Sequence, residues 1–342
     1  MTPAAKTAAG LMGLMATGLA YALVEARWFV LRHAVVPVLA PTATPLKVLH
    51  LSDLHLTAGQ SGKAAWVAAL ARLEPDLVVI TGDLLGATDG LPGLETALGA
   101  LLDRPGAFVF GSNDYFSAKP KNPLAYLWRR SDQDRRRRPD LPVGALRHQL
   151  MDHGWCDLNN ARATVSVPSG LVELVGLGDP HLQMDRLPAV SASPDGAGAK
   201  SAVIKLGLVH APYRSAIRAL VQDGARLVLA GHTHGGQVAV PGYGALVSNC
   251  DLPPRFAKGL HRLAPAPAFR GEPDSPSPSA LSGTGSLGWS GTGASVTLDP
   301  MVCPMPAHTY LHVSAGLGTS PYAPIRFACR PEASLLTLVP AL

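Results

Sequence analysis

Residues 46–55 read Leu46-Lys-Val-Leu-His-Leu-Ser-Asp53-Leu-His55: an apolar run that ends abruptly on Asp-x-His. The run Leu46 to Ser52 reads as a strand, because β-branched and leucine side chains dominate it and no helical period appears. The same construction recurs downstream. Asp76 to Thr81 (DLVVIT) leads into Gly82-Asp83, and Ala107 to Phe110 (AFVF) into Gly111-Ser112-Asn113-Asp114. Ala202 to Val209 (AVIKLGLV) leads into His210, and Arg226 to Ala230 (RLVLA) into Gly231-His232-Thr233-His234. Gly170 to Gly176 (GLVELVG) is a further strand. Helical stretches at Ala64 to Leu73 and Leu94 to Leu102 lie between the first strands. This alternation predicts a layered α/β fold with mixed sheets packed together and flanked by helices.

In open α/β sheets ligands bind at the carboxyl ends of the strands. Five strand ends therefore bring Asp, His, Asp, Asn and three more His toward one pocket, a mixed oxygen and imidazole set suited to borderline divalent metals. Singly these signals are weak. A lone Asp-x-His is usually a loop, and a lone His after a strand is usually structural. Gly231-His232-Thr233-His234-Gly235-Gly236 is stronger, since small residues let the backbone approach while both imidazoles reach inward. The ordered set carries the reading.

Composition agrees with a folded domain beside a membrane. Apolar residues make up 47% of the 342 and charged residues only 15%, which excludes a charge-rich disordered chain. The net charge of +5 suits phosphate-bearing ligands or an anionic surface and is too weak to specify nucleic acid. The cysteines Cys156, Cys250, Cys303 and Cys329 are scattered, with no CxxC pair. They read as reduced thiols, with disulfides an alternative in an exported chain.

Ala8 to Val24 contains no charged side chain and is about long enough to span a bilayer. Residues 1–40 are expected to form an uncleaved single-pass anchor and lead-in, with a removed signal or a helix lying on the domain as alternatives. Lys6 on one side and Arg27 and Arg32 on the other leave the orientation open. Residues 41–342 form the expected catalytic domain. Two insertions interrupt it: a basic one near 116–145, carrying Arg135 to Arg138, and a Pro/Gly/Ser-rich one near 264–300 expected to be flexible.

The ordered motifs resemble the calcineurin-like metallophosphoesterase superfamily, whose pattern runs D-x-H, G-D, G-N-H-[DE], H, G-H-x-H. The match covers residues 46 to about 247. The strings LHLSDLHL (49–56), GSNDYF (111–116), LVHAPYR (208–214) and LAGHTHGGQ (229–237) are similar to a membrane-associated bacterial branch. The resemblance implies two divalent ions, drawn from Mn, Fe, Zn or Co. Asp53, His55, Asp83 and His234 would hold one; Asp83, Asn113, His210 and His232 would hold the other, with Asp83 as the bridge. It implies hydrolysis of a phosphoester, phosphodiester or pyrophosphate by a metal-bridging hydroxide; the apolar N-terminal segment, expected in membrane lipid, together with the low charge adds a membrane-proximal or lipid-linked substrate as the expectation.

The third motif departs from the family. Gly111-Ser112-Asn113-Asp114 has no histidine, and either Asn113 or Ser112 occupies the ligand position. Asn113 is preferred, since an amide oxygen is the better neutral ligand. Asp114 is the candidate proton donor to the leaving group, with a turn-forming role as the alternative. Asp179 and His181 of the Gly178-Asp-Pro-His turn, and Arg214 beside His210, are candidate substrate-binding residues. His50, inside a strand, reads as a core residue. A non-catalytic scaffold and a nuclease are the competing functions, and the oligomeric state is not encoded in any motif.

Overall fold

A computed structural model describes residues 2–118, 138–190, 202–264, 295–297, 309–319 and 322–341. The N-terminal helix α1 (Pro3–Glu25) is followed by β1 (Val30–Leu39), β2 (Leu46–Leu51), α2 (Ser61–Ala68), β3 (Leu77–Thr81), α3 (Leu91–Leu98), β4 (Gly106–Val109) and the single turn α4 (Ser112–Tyr115). Then come α5 (Val143–Asp152), β5 (Cys156–Asp157), β6 (Ala161–Val167), β7 (Gly170–Gly176), β8 (Ile204–Leu208), α6 (Arg214–Gln222) and β9 (Leu227–Ala230). A short hairpin, β10 (Ala239–Val240) and β11 (Gly244–Ala245), precedes β12 (Gly259–Ala264), β13 (Ser295–Thr297), β14 (Thr309–Val313) and β15 (Glu332–Pro340).

The strands form two mixed sheets. One runs β1-β15-β2-β3-β4-β5, the other β13-β12-β14-β9-β8-β7-β6. The period of two along each strand explains why they stack. Leu46, Val48, Leu77 and Val79 of the first sheet pack against Leu206, Leu208, Leu227 and Leu229 of the second. The alternate residues Leu49, Leu51, Val78 and Ile80 face away from that interface, onto α2, α3 and α5. Val228, Ala230, Leu311 and Val313 cover α6 on the far side. The layers are thus helix, sheet, sheet, helix, and the strands are apolar on both faces because both faces are buried.

Where the inter-sheet face would otherwise continue apolar, His50 and His312 meet. Their Nδ1 atoms lie 2.9 Å apart, and His50 Nε2 lies 2.8 Å from the Thr81 hydroxyl. His50 is therefore a hydrogen-bonded core residue, as its place inside a strand predicts.

Three expectations change. The segment before residue 40 is not all lead-in, because Val30–Leu39 pairs in parallel with the C-terminal strand β15 and belongs to the sheet. Its hydrogen bonds go to a partner some 300 residues away, which no local pattern reveals. The two early helices tighten into 3₁₀ turns for their last residues, Ala69–Leu73 and Gly99–Asp103. Within the stretch expected to be irregular, Ser295–Thr297 pair with Arg262–Ala264. The remainder of that stretch, the basic cluster of residues 129–137 and Cys303 lie outside the described residues.

α1 is 23 residues long and has Pro3 in its first turn, where a missing N–H costs nothing. It is long and apolar enough to cross a membrane by length and composition, and nearly all of it is exposed. Only its last turn is held, with Ala22 and Glu25 buried against the domain.

Candidate metal centre

The five motifs converge at the carboxyl ends of β2, β3, β4, β8 and β9. Each occupies the first residues after its strand, where the chain must turn at once. That requirement shows in the backbone. Asp53, His55, Asp83, His232 and His234 all have positive φ, between 43° and 68°. Non-glycine residues adopt this region at a cost, and it persists only where surrounding bonds over-determine it. Here those bonds run between the loops: Asp53 N–H donates to Gly82 O at 2.9 Å and His55 N–H to Asp83 O at 2.9 Å. Glycine is needed where loops touch. A Cβ on Gly111 would collide with the Asp83 carboxylate and the His210 ring.

Asp53, His55, Asp83 and His234 each bring one ligand atom into a cluster whose atoms all lie within 4.8 Å of one another. His55 Nε2 and His234 Nε2 are 3.2 Å apart, and His234 Nε2 is 3.6 Å from Asp53 Oδ1. Asp83 stands between this cluster and a second one. Its Oδ2 is 3.5 Å from His55 Nε2, while its Oδ1 is 3.5 Å from His210 Nε2. His232 Nδ1 completes the second group, 3.2 Å from His210 Nε2. Asn113 lies against the same carboxylate, donating its backbone N–H to Oδ1 at 2.8 Å and its amide to Oδ2 at 2.7 Å. Ser112, the alternative ligand, is buried beside it.

The donor set fits divalent cations. Three histidines are oriented by backbone carbonyls on their outer nitrogens: His210 Nδ1 by Thr81 O at 2.7 Å, His234 Nδ1 by Gly318 O at 3.1 Å and His232 Nε2 by Asn249 O at 3.2 Å. This bonding assigns the proton to the outer nitrogen and turns the lone pair inward. Burial pushes His55 down to about 4 and lowers His232 and His234 well below the usual histidine range, so these rings are neutral and ligand-ready. Burial also opposes charge on His210, but Asp83, Asp179 and Asp53 outweigh it and raise the ring to about 9. That pull shows a demand for positive charge between these carboxylates, which a cation held by the neutral ring would meet in place of the proton. For Asp83, burial is outweighed by His210, His55 and the two Asn113 bonds, which hold its carboxyl below the ordinary range.

Asp114 does not fit the expected proton-donor role. Its Oδ2 accepts N–H bonds from Asp83 (2.8 Å) and Gly111 (2.9 Å), and its Oδ1 from Leu84 (2.7 Å) and Leu85 (3.3 Å). Burial, with the Asp83 charge adding to it, pushes the group up to about 7. Four backbone donors nevertheless fill both oxygens, and a proton there would displace one of them. Asp114 clamps the β3 and β4 loops together, which is the turn-forming alternative.

Asp179 and His181 reach the second cluster. Asp179 is fully buried; one oxygen caps the turn by accepting the His181 N–H at 2.9 Å, and the other has no hydrogen-bond partner among the described residues. Burial pushes its carboxyl up to about 7. His181 packs on His232, ring centroids 4.8 Å apart, and its Nδ1 is 3.1 Å from the Tyr213 hydroxyl. Arg214 begins α6 and makes no hydrogen bond or ion pair to either cluster among the described residues; its backbone N–H donates to Asp251.

The sequence profile of the family described as calcineurin-like phosphoesterase matches residues 46–236, over half of the chain. The chain belongs to the calcineurin-like phosphoesterase family. Among relatives, it is 29% identical over 233 residues to a Bos taurus transmembrane protein with metallophosphoesterase domain, covering 66% of this chain and 47% of that one. It is 27% identical over 222 residues to the Escherichia coli phosphodiesterase YaeI, covering 64% and 71%. It is 27% identical over 227 residues to the uncharacterized metallophosphoesterase YkoQ of Bacillus subtilis, covering 65% and 73%. The chain spans about half the length of the vertebrate relatives it matches. The resemblance expected from the motifs is borne out at the level of family and fold.

Several residues around the site carry no sequence signal. The carbonyls of Thr81, Asn249 and Gly318 that orient the histidines act through the backbone, so no residue type announces that role. Arg326 and Glu25 lie far outside the motif region and reach it only through the fold.

Proposed function

We propose that this protein is a dinuclear metal-dependent phosphoesterase, held at a membrane by α1. Asp53, His55, Asp83 and His234 would hold one ion, and Asp83, Asn113, His210 and His232 the other, with Mn, Fe, Zn or Co suited to such ligands. The observation that carries this reading is Asp83, whose two oxygens each face an imidazole of a different cluster at 3.5 Å. Two such ions when bound polarise the phosphoryl group and activate water for in-line attack.

The chain's own groups serve that chemistry in separate ways. The Asp83 carboxylate offsets repulsion between two cations. The carbonyl-bound histidines keep their inner lone pairs aimed without reorganisation. Asp114 holds the β3 and β4 loops so that Asn113 stays on the bridging carboxylate. Asp179 and His181 form the wall beside the second cluster and are assigned to the substrate side. With Asp114 committed to backbone N–H groups, no histidine or free carboxyl in the third motif protonates the leaving group. Substrates with good leaving groups, such as phosphodiesters of acidic alcohols or pyrophosphates, fit this site best.

α1 would span the bilayer: 23 residues give about 34 Å at ~1.5 Å per residue, against a hydrocarbon core of about 30 Å. A membrane-proximal or lipid-linked phosphate follows from an anchor whose last turn packs onto the domain. The test is hydrolysis of bis-p-nitrophenyl phosphate by the full chain in detergent, metal-stripped or loaded with Mn²⁺, Zn²⁺ or Fe²⁺. Metal-dependent turnover lost in Asp83→Asn and His232→Ala is expected. Two bound ions without turnover on any activated phosphoester would favour a non-catalytic scaffold.

A further inference from the structure

Arg326 is fully buried, yet no carboxylate pairs with it among the described residues. A guanidinium in that position must satisfy its donors elsewhere. It does so on backbone carbonyls: Nη2 donates to Ala315 O at 2.7 Å, Gly316 O at 3.0 Å and Gly318 O at 2.7 Å, and Nη1 reaches His234 O and Cys329 O at 3.4 Å each. These carbonyls belong to the segments that build the first cluster. Gly316 has φ +67° and its Cα lies against the Asp53 side chain, while Gly318 lies against His55. Leu317 N–H donates to Ser52 O at 3.0 Å. Gly318 O is also the carbonyl that receives His234 Nδ1. One side chain thus ties together the supports of Asp53, His55 and His234.

The loop that carries Arg326 is fixed in turn by α1. Arg326 N–H donates to Ala22 O at 3.0 Å. The buried Glu25 carboxylate accepts the N–H groups of Ala328 at 2.9 Å and Cys329 at 2.8 Å, and the rings of Tyr21 and Phe327 meet edge to face. Cys329 Sγ closes the connection, 3.4 Å from both His234 O and Gly235 O.

We propose that Glu25 and Arg326 are positioning residues for His234 and the Asp53–His55 turn, so that the docked end of the N-terminal helix is part of the scaffold of the first ion site. This rests on the two-ion reading above. Anchor and metal site then form one construction, and the first ion is held tightly only while α1 is seated. A chain shortened to begin near residue 40 would lack Glu25 and β1 together, and would lose the first ion for that reason.

The test is Mn²⁺ binding by the full chain in detergent, followed by calorimetry and by the electron paramagnetic resonance signal of free Mn²⁺. His232→Ala isolates the first site and His55→Ala the second. Glu25→Gln, which sets an amide NH₂ against a backbone N–H, should weaken Mn²⁺ about 10- to 100-fold in the His232→Ala background, the usual effect of removing an outer support. It should change affinity less than about twofold in the His55→Ala background, as should the exposed control Met15→Ala in either background. Arg326→Lys keeps the charge but loses the fork, and should give the same site-selective loss. Unchanged first-site affinity in both Glu25→Gln and Arg326→Lys overturns the inference, as does an equal loss at both sites. A wild-type chain that takes up no Mn²⁺ instead overturns the two-ion reading itself.

Discussion

Asp114→Asn separates a loop clamp from a proton donor. The native carboxylate accepts four N–H groups, two on each oxygen. In the variant, one oxygen becomes an NH₂ that faces two backbone donors in a wholly buried site. Two hydrogen bonds to a charged acceptor are lost, each worth about 1.5–3 kcal/mol, so the loss is at least about 3 kcal/mol. At roughly 2–4 °C per kcal/mol for a domain of this size, the thermal midpoint should fall by about 6–12 °C. Because the clamp holds Asp83 and Gly111 in place, Mn²⁺ affinity should fall with it. The assay is intrinsic-fluorescence melting of the full chain in detergent, with Mn²⁺ titration on the same samples. A variant with wild-type midpoint and wild-type metal binding, but a slowed reaction restricted to substrates with poor leaving groups, would refute the clamp and restore Asp114 as the proton donor.

Other consequences concern packing, pH and the anchor. Gly111→Ala places a methyl group against Asp83 and His210; metal binding should be lost at both sites while the far-ultraviolet circular dichroism is retained. Burial lowers His50 to about 3 from 6.5, so below pH 6.5 the unfolded chain binds a proton that the folded chain refuses. That contribution to stability is present above 6.5 and is lost as pH falls toward 3, by about tenfold in the folding constant per pH unit. Denaturant midpoints measured from pH 7 to 4 should show a flatter decline in His50→Gln. The native chain should stay with the membrane after alkaline carbonate extraction, and a chain with Leu11, Leu14, Met15 and Leu19 all changed to Ser should be released.

Much of the site was legible in the linear chain because each ligand candidate sits within four residues of the end of a strand that announces itself by continuous apolar character. Asp53, Asp83, His210 and His232 are legible as an ordered set, since the layered fold brings such strand ends together. The third motif shows the limit. Gly111-Ser-Asn-Asp has the right residue types, but whether Asp114 faces substrate or backbone depends on where the β3 loop lies. Only packing decides that, and it turns Asp114 toward the N–H groups of Asp83, Leu84 and Leu85. Val30–Leu39 was hidden for a related reason: a strand that pairs along its length with Glu332–Pro340 looks, from the sequence, like more apolar chain after an anchor.

The sequence by itself determined the α/β layering and the family and named the seven ligand candidates, all being properties of short segments: periodicity, strand ends and motif spacing. The tertiary structure alone decided that Asp83 divides its oxygens between two imidazole groups, that Asp114 accepts backbone N–H groups from two loops, and that Glu25 holds the same loop whose Arg326 reaches the carbonyls around His234. Those are relations between residues from 30 to 300 positions apart, joined by backbone carbonyls and N–H groups that every residue carries and that no sequence pattern marks.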